Sequence, residues 1–273
     1  MNASPNMSTA PNRIGVLCQR GGHRDPYLAA LEIVNRTITD SGVTTPPFDP
    51  RRYCDLHHVE VRDRWLPNCA ARLLPTRAGY IAEIQADDPQ SRKNFSICHE
   101  LAHTFFFSSQ TGSSSDEPYA RGAAADQEER LCDFIAAELL MPRNHFRAGA
   151  RTLVPSIESV QRLAGMFAVS LNAAMFRCMK LDTWECYYVD FALSAEDDVS
   201  VQSWAFSSSW VKRRRSTISF RALARLALGS NAPRCSGIGL FGGDTMDSYQ
   251  YRINGRRRLR AFVYRNYPVT HET

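Results

Sequence analysis

The segment Asn94–Phe107, NFSICHELAHTFFF, constrains this chain more than any other stretch. Phe95, Ile97, Ala102 and the three phenylalanines at 105–107 belong to a largely buried helix, predicted to start near Ser91 and run through Phe107. The same stretch carries His99, Glu100 and His103 in an HExxH pattern. Residues four apart lie one turn apart on a helix face, so both imidazoles can reach one ion. Glu100 stands about 100° around from His99, close enough to touch a water at that ion rather than the ion itself. From there its carboxylate can take a proton from water and pass it to a leaving amine. The plain alternative is a surface helix with two incidental histidines. The apolar surroundings speak against it, because buried imidazoles beside a buried carboxylate need partners and a metal supplies them.

A catalytic zinc needs a third protein ligand and an open fourth position. No histidine follows at the short HExxHxxGxxH spacing, since residues 106 and 109 are Phe and Ser. The other source is a carboxylate on a later helix. Asp126–Met141 is such a helix: Asp126 can cap it, Pro142 stops it, and Cys132, Ile135, Ala136, Leu139 and Leu140 form its apolar stripe. Glu128 and Glu129 both lie near that stripe, an odd place for a charge. Glu129 shares a face with Cys132 and Ala136, whose small side chains would let the two helices approach closely. Either glutamate could equally be a solvated first-turn carboxylate stabilised by the helix dipole.

Several motifs together resemble the ImmA/IrrE family of metallopeptidases. They are Gly79-Tyr-Ile-Ala-Glu-Ile, Asp88-Pro89, Arg92-Lys93-Asn94-Phe95 leading into CHELAH, and Glu129-Arg-Leu-Cys132-Asp133 followed by Ile135-Ala136 and Leu139-Leu140-Met141-Pro142. Pro155-Ser156, Val160, Leu163-Ala164, Phe167, Val169-Ser170 and Arg177 extend the likeness, which spans roughly residues 26–182. The resemblance implies His99, His103 and Glu129 as zinc ligands and Glu100 as general base. It implies an α+β, zincin-like domain with helices packed on a small antiparallel sheet. It also implies a protein substrate, a helix-turn-helix transcriptional repressor cut at a specific site. Manganese(II) or iron(II) would suit a His₂Glu site as well as Zn2+. Cys98 and Cys132 stand where alanine-like residues are usual and Ile135 replaces Phe, swaps that preserve packing. The loop 108–125 is long for the family, and Tyr119 and His145 could line a cleft. A peptidase of this build would pair an extended peptide with an edge strand near the metal, and Gly79–Gln85 is the candidate.

The rest of the chain reads more plainly. Residues 1–25 are polar and rich in Asn, Pro, Gly and Ser, and are expected to be a flexible tail. A helix runs from Pro26 to Gly42, and Ala70–Leu74 with Gly79–Gln85 make an antiparallel hairpin. Two further helices, about Ser156–Phe167 and Ser170–Leu181, close the domain at 26–182. Residues 183–273 are read as a smaller β-rich domain with one helix at Phe220–Leu228. Eight cysteines without a CxxC pair read as reduced, apolar thiols of a cytoplasmic protein. No apolar run approaches a bilayer span, so no membrane partner is expected.

Charge is uneven: residues 201–273 carry 13 Lys and Arg against 3 Asp and Glu, whereas the whole chain nets only +5. Lys212, Arg213, Arg214 and Arg215, and Arg256, Arg257 and Arg258 with Arg260, are therefore candidates for phosphate or nucleic-acid contact. A solvated or acidic-partner face is the plain alternative. Val160–Arg177 has the outline of a helix-turn-helix, but its second helix offers only Asn172, Arg177 and Lys180 as readers, which favours packing. A DNA- or partner-binding regulator with a structural metal is thus the rival reading. It would require a closed four-ligand site, where the sequence offers three ligands and a base.

Overall fold

The computed structural model describes residues 13–108, 123–194, 198–213, 219–229, 234–240 and 243–265. Its chain divides into two compact units, Met1–Pro142 with Phe167–Val169, and Arg143–Met166 with Ser170–Thr273. The architecture is α+β in both.

The first unit opens with α1 (Arg13–Gly21), inside the stretch expected to be a tail. Leu17 buries completely, and a side chain on Gly21 would overlap the backbone of Ala29, so α1 crosses α2 (Pro26–Ser41) at close range. Helix α2 is framed as its sequence demands. Asp25 accepts the amides of Tyr27 and Leu28, Pro26 fills the first turn, and Gly42 closes the end with φ 68°. Next come α3 (Pro50–Leu56), β1 (Val59–Arg64), β2 (Ala71–Thr76) and β3 (Gly79–Gln85).

The sheet order is β1-β3-β2. The hairpin β2–β3 forms as expected, but β1 pairs parallel to β3, so the sheet is mixed rather than antiparallel. This also removes Gly79–Gln85 as an edge: β3 is central, paired with β1 on one side and β2 on the other. Gly79 makes the fit possible, because its φ is 146° and a Cβ there would overlap the His58 carbonyl.

Helix α4 (Gln90–His103) carries the HExxH residues and packs along α5 (Ala123–Leu140). The α-helix stops at His103, and a 3₁₀ turn, Thr104–Phe106, replaces the expected last turn. It drives Phe105, Phe106 and Phe107 inward, to 1, 1 and 4% exposure. Helix α5 begins three residues before Asp126, which sits in its first turn rather than capping it. Ala102, Cys132 and Ala136 are all fully buried, the small residues that a close α4–α5 contact requires. Of the expected loop 108–125, residues 109–122, including Tyr119, lie outside the described residues, as do residues 1–12 of the expected tail.

The second unit contains α6 (Arg143–Arg151), α7 (Ile157–Met166), α8 (Leu171–Lys180), β4 (Cys186–Leu193), β5 (Val199–Phe206), α9 (Ser208–Arg213), α10 (Phe220–Gly229), β6 (Arg234–Gly239), β7 (Asp244–Ile253) and β8 (Arg256–Arg265). Its sheet runs β5-β4-β8-β7-β6 and is antiparallel throughout. Alternation along β4 sends Tyr187, Val189, Phe191 and Leu193 into a core with Trp210 of α9 and Leu223 of α10. Tyr188, on the opposite face, donates to Asn172 of α8 at 2.9 Å and meets the ring of Phe176 edge-on. All eight cysteines are free thiols. Among the described residues no helix is long and apolar enough to cross a membrane.

Candidate metal centre

The centre is built by α4 and α5. Spacing on α4 places His99 one turn before His103, with ring centroids 5.1 Å apart and the rings edge-on. Helix α5 presents Glu128 and Glu129 one turn before Cys132 and Asp133, so four side chains with metal-binding or hydrogen-bonding atoms meet the two rings.

Each imidazole has carboxylate oxygens at both nitrogens. Nδ1 of His99 lies 3.0 Å from Asp133 Oδ1, and Nε2 lies 3.1 Å from Glu129 Oε2. Nδ1 of His103 lies 3.0 Å from Glu128 Oε1, and its Nε2 lies 3.6 Å from Glu129 Oε1. A neutral imidazole has one N–H. Once Nδ1–H is donated to Asp133 or to Glu128, Nε2 turns a lone pair towards Glu129. Two such lone pairs facing a carboxylate call for a cation between them. Ligand atoms about 2.1 Å from one ion at the tetrahedral angle are about 3.4 Å apart, and the two rings face the two different oxygens of the Glu129 carboxylate at separations of that order, Oε2 at 3.1 Å from His99 and Oε1 at 3.6 Å from His103. The donor set His99, His103 and Glu129 therefore fits a divalent ion such as zinc.

Cys132 offers an alternative third donor, since its sulfur and one nitrogen from each histidine lie within 4.8 Å of one another. Its Sγ, however, approaches Nδ1 of His103 at 3.5 Å, the nitrogen that Glu128 already engages. Burial first, then Glu128, Glu129, Glu100 and Asp133, push the thiol well above its ordinary pKa. That environment suits a protonated, packed thiol better than a thiolate.

The electrostatics of His99 tell the same story. Burial pulls its pKa down, but the Asp133 hydrogen bond and the charges of Glu100, Asp133 and Glu129 outweigh it, leaving the pKa raised. The pocket thus favours positive charge at this ring. Glu100, next to His99, is buried at 5% exposure, whereas the Glu129 side chain is 48% exposed. Among the described residues the centre is thus sealed at His103 and more exposed at Glu129.

Sequence reasoning brought His99, Glu100, His103 and Glu129 into one place but did not give Glu128 and Asp133 their roles as ring partners. The i, i+4 pairs Glu128–Cys132 and Glu129–Asp133 on one helix were the available signal. Arg13, which pairs with Glu128 at 2.7 Å, had no local signal, because the contact spans 115 residues.

The basic candidates divide. Lys212 and Arg256 are exposed, and Arg257 and Arg258 are half-buried. Arg260 is buried, donating to Tyr249 and Tyr251 hydroxyls at 2.7 and 2.9 Å, with Asp190 at 3.5 Å. The side chain of Arg213, together with Arg214 and Arg215, lies outside the described residues. Of the helix-turn-helix readers, Asn172 is engaged by Tyr188, Arg177 is buried and Lys180 is exposed. His145 belongs to the second unit, on α6.

Residues 55–179 match the family model Peptidase_M78, described as the IrrE N-terminal-like domain. The matched segment contains His99, Glu100, His103 and Glu129. Among solved structures, a Mycobacterium tuberculosis transcriptional regulator is similar in fold. At 12% identity and a TM-score of 0.56, the alignment covers 94% of this chain and 82% of that one. No curated protein matches the chain.

Proposed function

We propose that the protein is a metal-dependent endopeptidase, with His99, His103 and Glu129 holding a zinc ion and Glu100 acting as general base. The observation that carries the reading is the Glu129 carboxylate, set 3.1 and 3.6 Å from Nε2 of the two histidines. When bound, the ion would supply Lewis acidity to a scissile carbonyl and to the attacking water. The chain's own residues do the rest. Asp133 and Glu128 hold the ring tautomers from behind, and Glu100 takes the proton from the attacking water and returns it to the leaving amine. Glu129 leaves one side of the centre open, which a peptide needs and a closed structural site lacks; this weighs against the regulator reading. The substrate that the family resemblance supports is a helix-turn-helix repressor, cut in the cytoplasm within a peptidase domain at 26–182.

The test compares whole proteomes of host cells expressing wild type or Glu100→Gln, with zinc content measured on both purified proteins. Zinc retained by both, and one protein replaced by two fragments only with the wild type, is the expected result. Identical proteomes with zinc bound by both proteins would overturn the peptidase assignment.

A further inference from the structure

We propose that Arg13 is a positioning residue for this metal centre. Held by α1, it fixes the Glu128 carboxylate against Nδ1 of His103, so that Nε2 of that ring stays directed at the ion. The inference rests on the metal-site reading above.

One oxygen carries the link. Glu128 Oε1 lies 2.7 Å from Arg13 Nη2 and 3.0 Å from His103 Nδ1. The Glu128 and His103 side chains are 2 and 1% exposed and that of Arg13 is 17% exposed, so the Glu128–His103 contact is shielded from water and the Arg13 contact largely so. A glutamate side chain has three rotatable bonds, and one imidazole N–H alone does not select among its rotamers. A charge-assisted bond from a guanidinium does. The guanidinium is itself held, with its carbon 4.5 Å from the centroid of the buried Phe107 ring.

Helix α1 is anchored in turn on the other side of His103. Arg20 donates to the carbonyl of Thr104, the residue after His103, at 3.0 Å, and Leu17 and Gly21 lock α1 against the core. This helix therefore grips both the hydrogen-bond partner of His103 and the backbone that follows it. The partner of His99 Nδ1, Asp133, is by contrast 62% exposed. The outer partner of His103 is thus buried and tied to α1, and that of His99 is exposed.

The test measures zinc affinity of the full chain by competition with a chromophoric chelator, for wild type, R13A, R13K, E128A and the R13A/E128A double variant. Melting of the metal-free proteins reports folding alongside. Loss of an outer partner of a ligating histidine typically weakens metal binding about 10- to 100-fold, and R13A should fall in that range. R13K should fall between R13A and wild type. Because Arg13 acts through Glu128, the double variant should bind no more weakly than E128A alone. Wild-type affinity in folded R13A overturns the proposal. So does an equal further loss when R13A is added to E128A, which would mean that α1 acts by packing alone. If R13A does not fold, R13K decides: unchanged affinity overturns the proposal and a several-fold loss supports it. A wild type whose zinc affinity is indifferent to H103A would instead bring down the metal-site reading, and with it this inference.

Discussion

His57 offers a test of the first unit's packing that does not depend on the metal. Its Nε2 lies 3.0 Å from the Thr37 hydroxyl, and its ring meets Phe105 edge-on at 5.0 Å. Burial, reinforced by the Arg20 guanidinium, lowers its pKa from 6.5 to about 4; Asp40 opposes this and His58 adds to it. Above about pH 6.5 the ring is neutral in both folded and unfolded chains and has no influence on pH dependence. Below that, the unfolded chain takes up the proton first, so stability is lost progressively between about pH 6.5 and 4. At pH 5 a gap of this size corresponds to about 2 kcal/mol for a sealed ring. Allowing for partial exposure of this one leaves about 1–2 kcal/mol. His99 works in the opposite sense, since a raised pKa adds stability as pH falls, but it is common to both proteins compared. Urea unfolding of metal-free wild type and His57→Gln at pH 7 and pH 5 isolates the His57 contribution. Glutamine keeps a partner for Thr37 and does not titrate. Wild type should lose about 1–2 kcal/mol more than the variant over that interval. Equal losses would refute the account of His57 as a buried neutral ring.

Two further outcomes are expected. Asp133→Ala removes the partner of His99 Nδ1 and should weaken zinc binding about 10-fold or more, measured by chelator competition, while the metal-free protein keeps its melting temperature because Asp133 is exposed. In the second unit, Arg260→Ala leaves Asp190 and two tyrosine hydroxyls without their cation and should cost about 3–5 kcal/mol in urea unfolding. Arg256→Ala, on an exposed side chain, should change stability by less than about 0.5 kcal/mol. Similar effects from the two arginines would contradict the assignment of one to the interior and the other to the surface.

What the sequence made legible is what local rules govern. Pro26 and Gly42 frame α2, Ser170 caps α8 through the Ala173 amide, and the spacing of His99 and His103 puts both rings on one face. Long-range pairing was not legible. Nothing in Val59–Arg64 announces a parallel partner, so β3 reads as an edge until β1 is seen beside it. Helix α6 escaped because Phe146 and Ala150 are its only fully buried side chains, too few to show a period. Helix α1 escaped for a different reason. Its nine residues have no acidic first turn, and what holds it, Arg13 on Glu128 and Arg20 on Thr104, lies far along the chain.

Glu128 and Glu129 are neighbours on α5, yet their side chains are 2 and 48% exposed. One residue step turns a helix by about 100°, so the division between a sealed partner and an open ligand is set by helical phase alone. This gives the chain two very different tolerances to change in length. Residues added before Ala123 leave the phase of α5 untouched, and the centre can survive them. A single residue inserted between Glu129 and Cys132 would swing both glutamates away from the face they share with Cys132 and Asp133. Insertions and deletions should therefore be accepted immediately before α5 and rejected between Glu129 and Cys132, whatever the chemistry of the residue gained or lost.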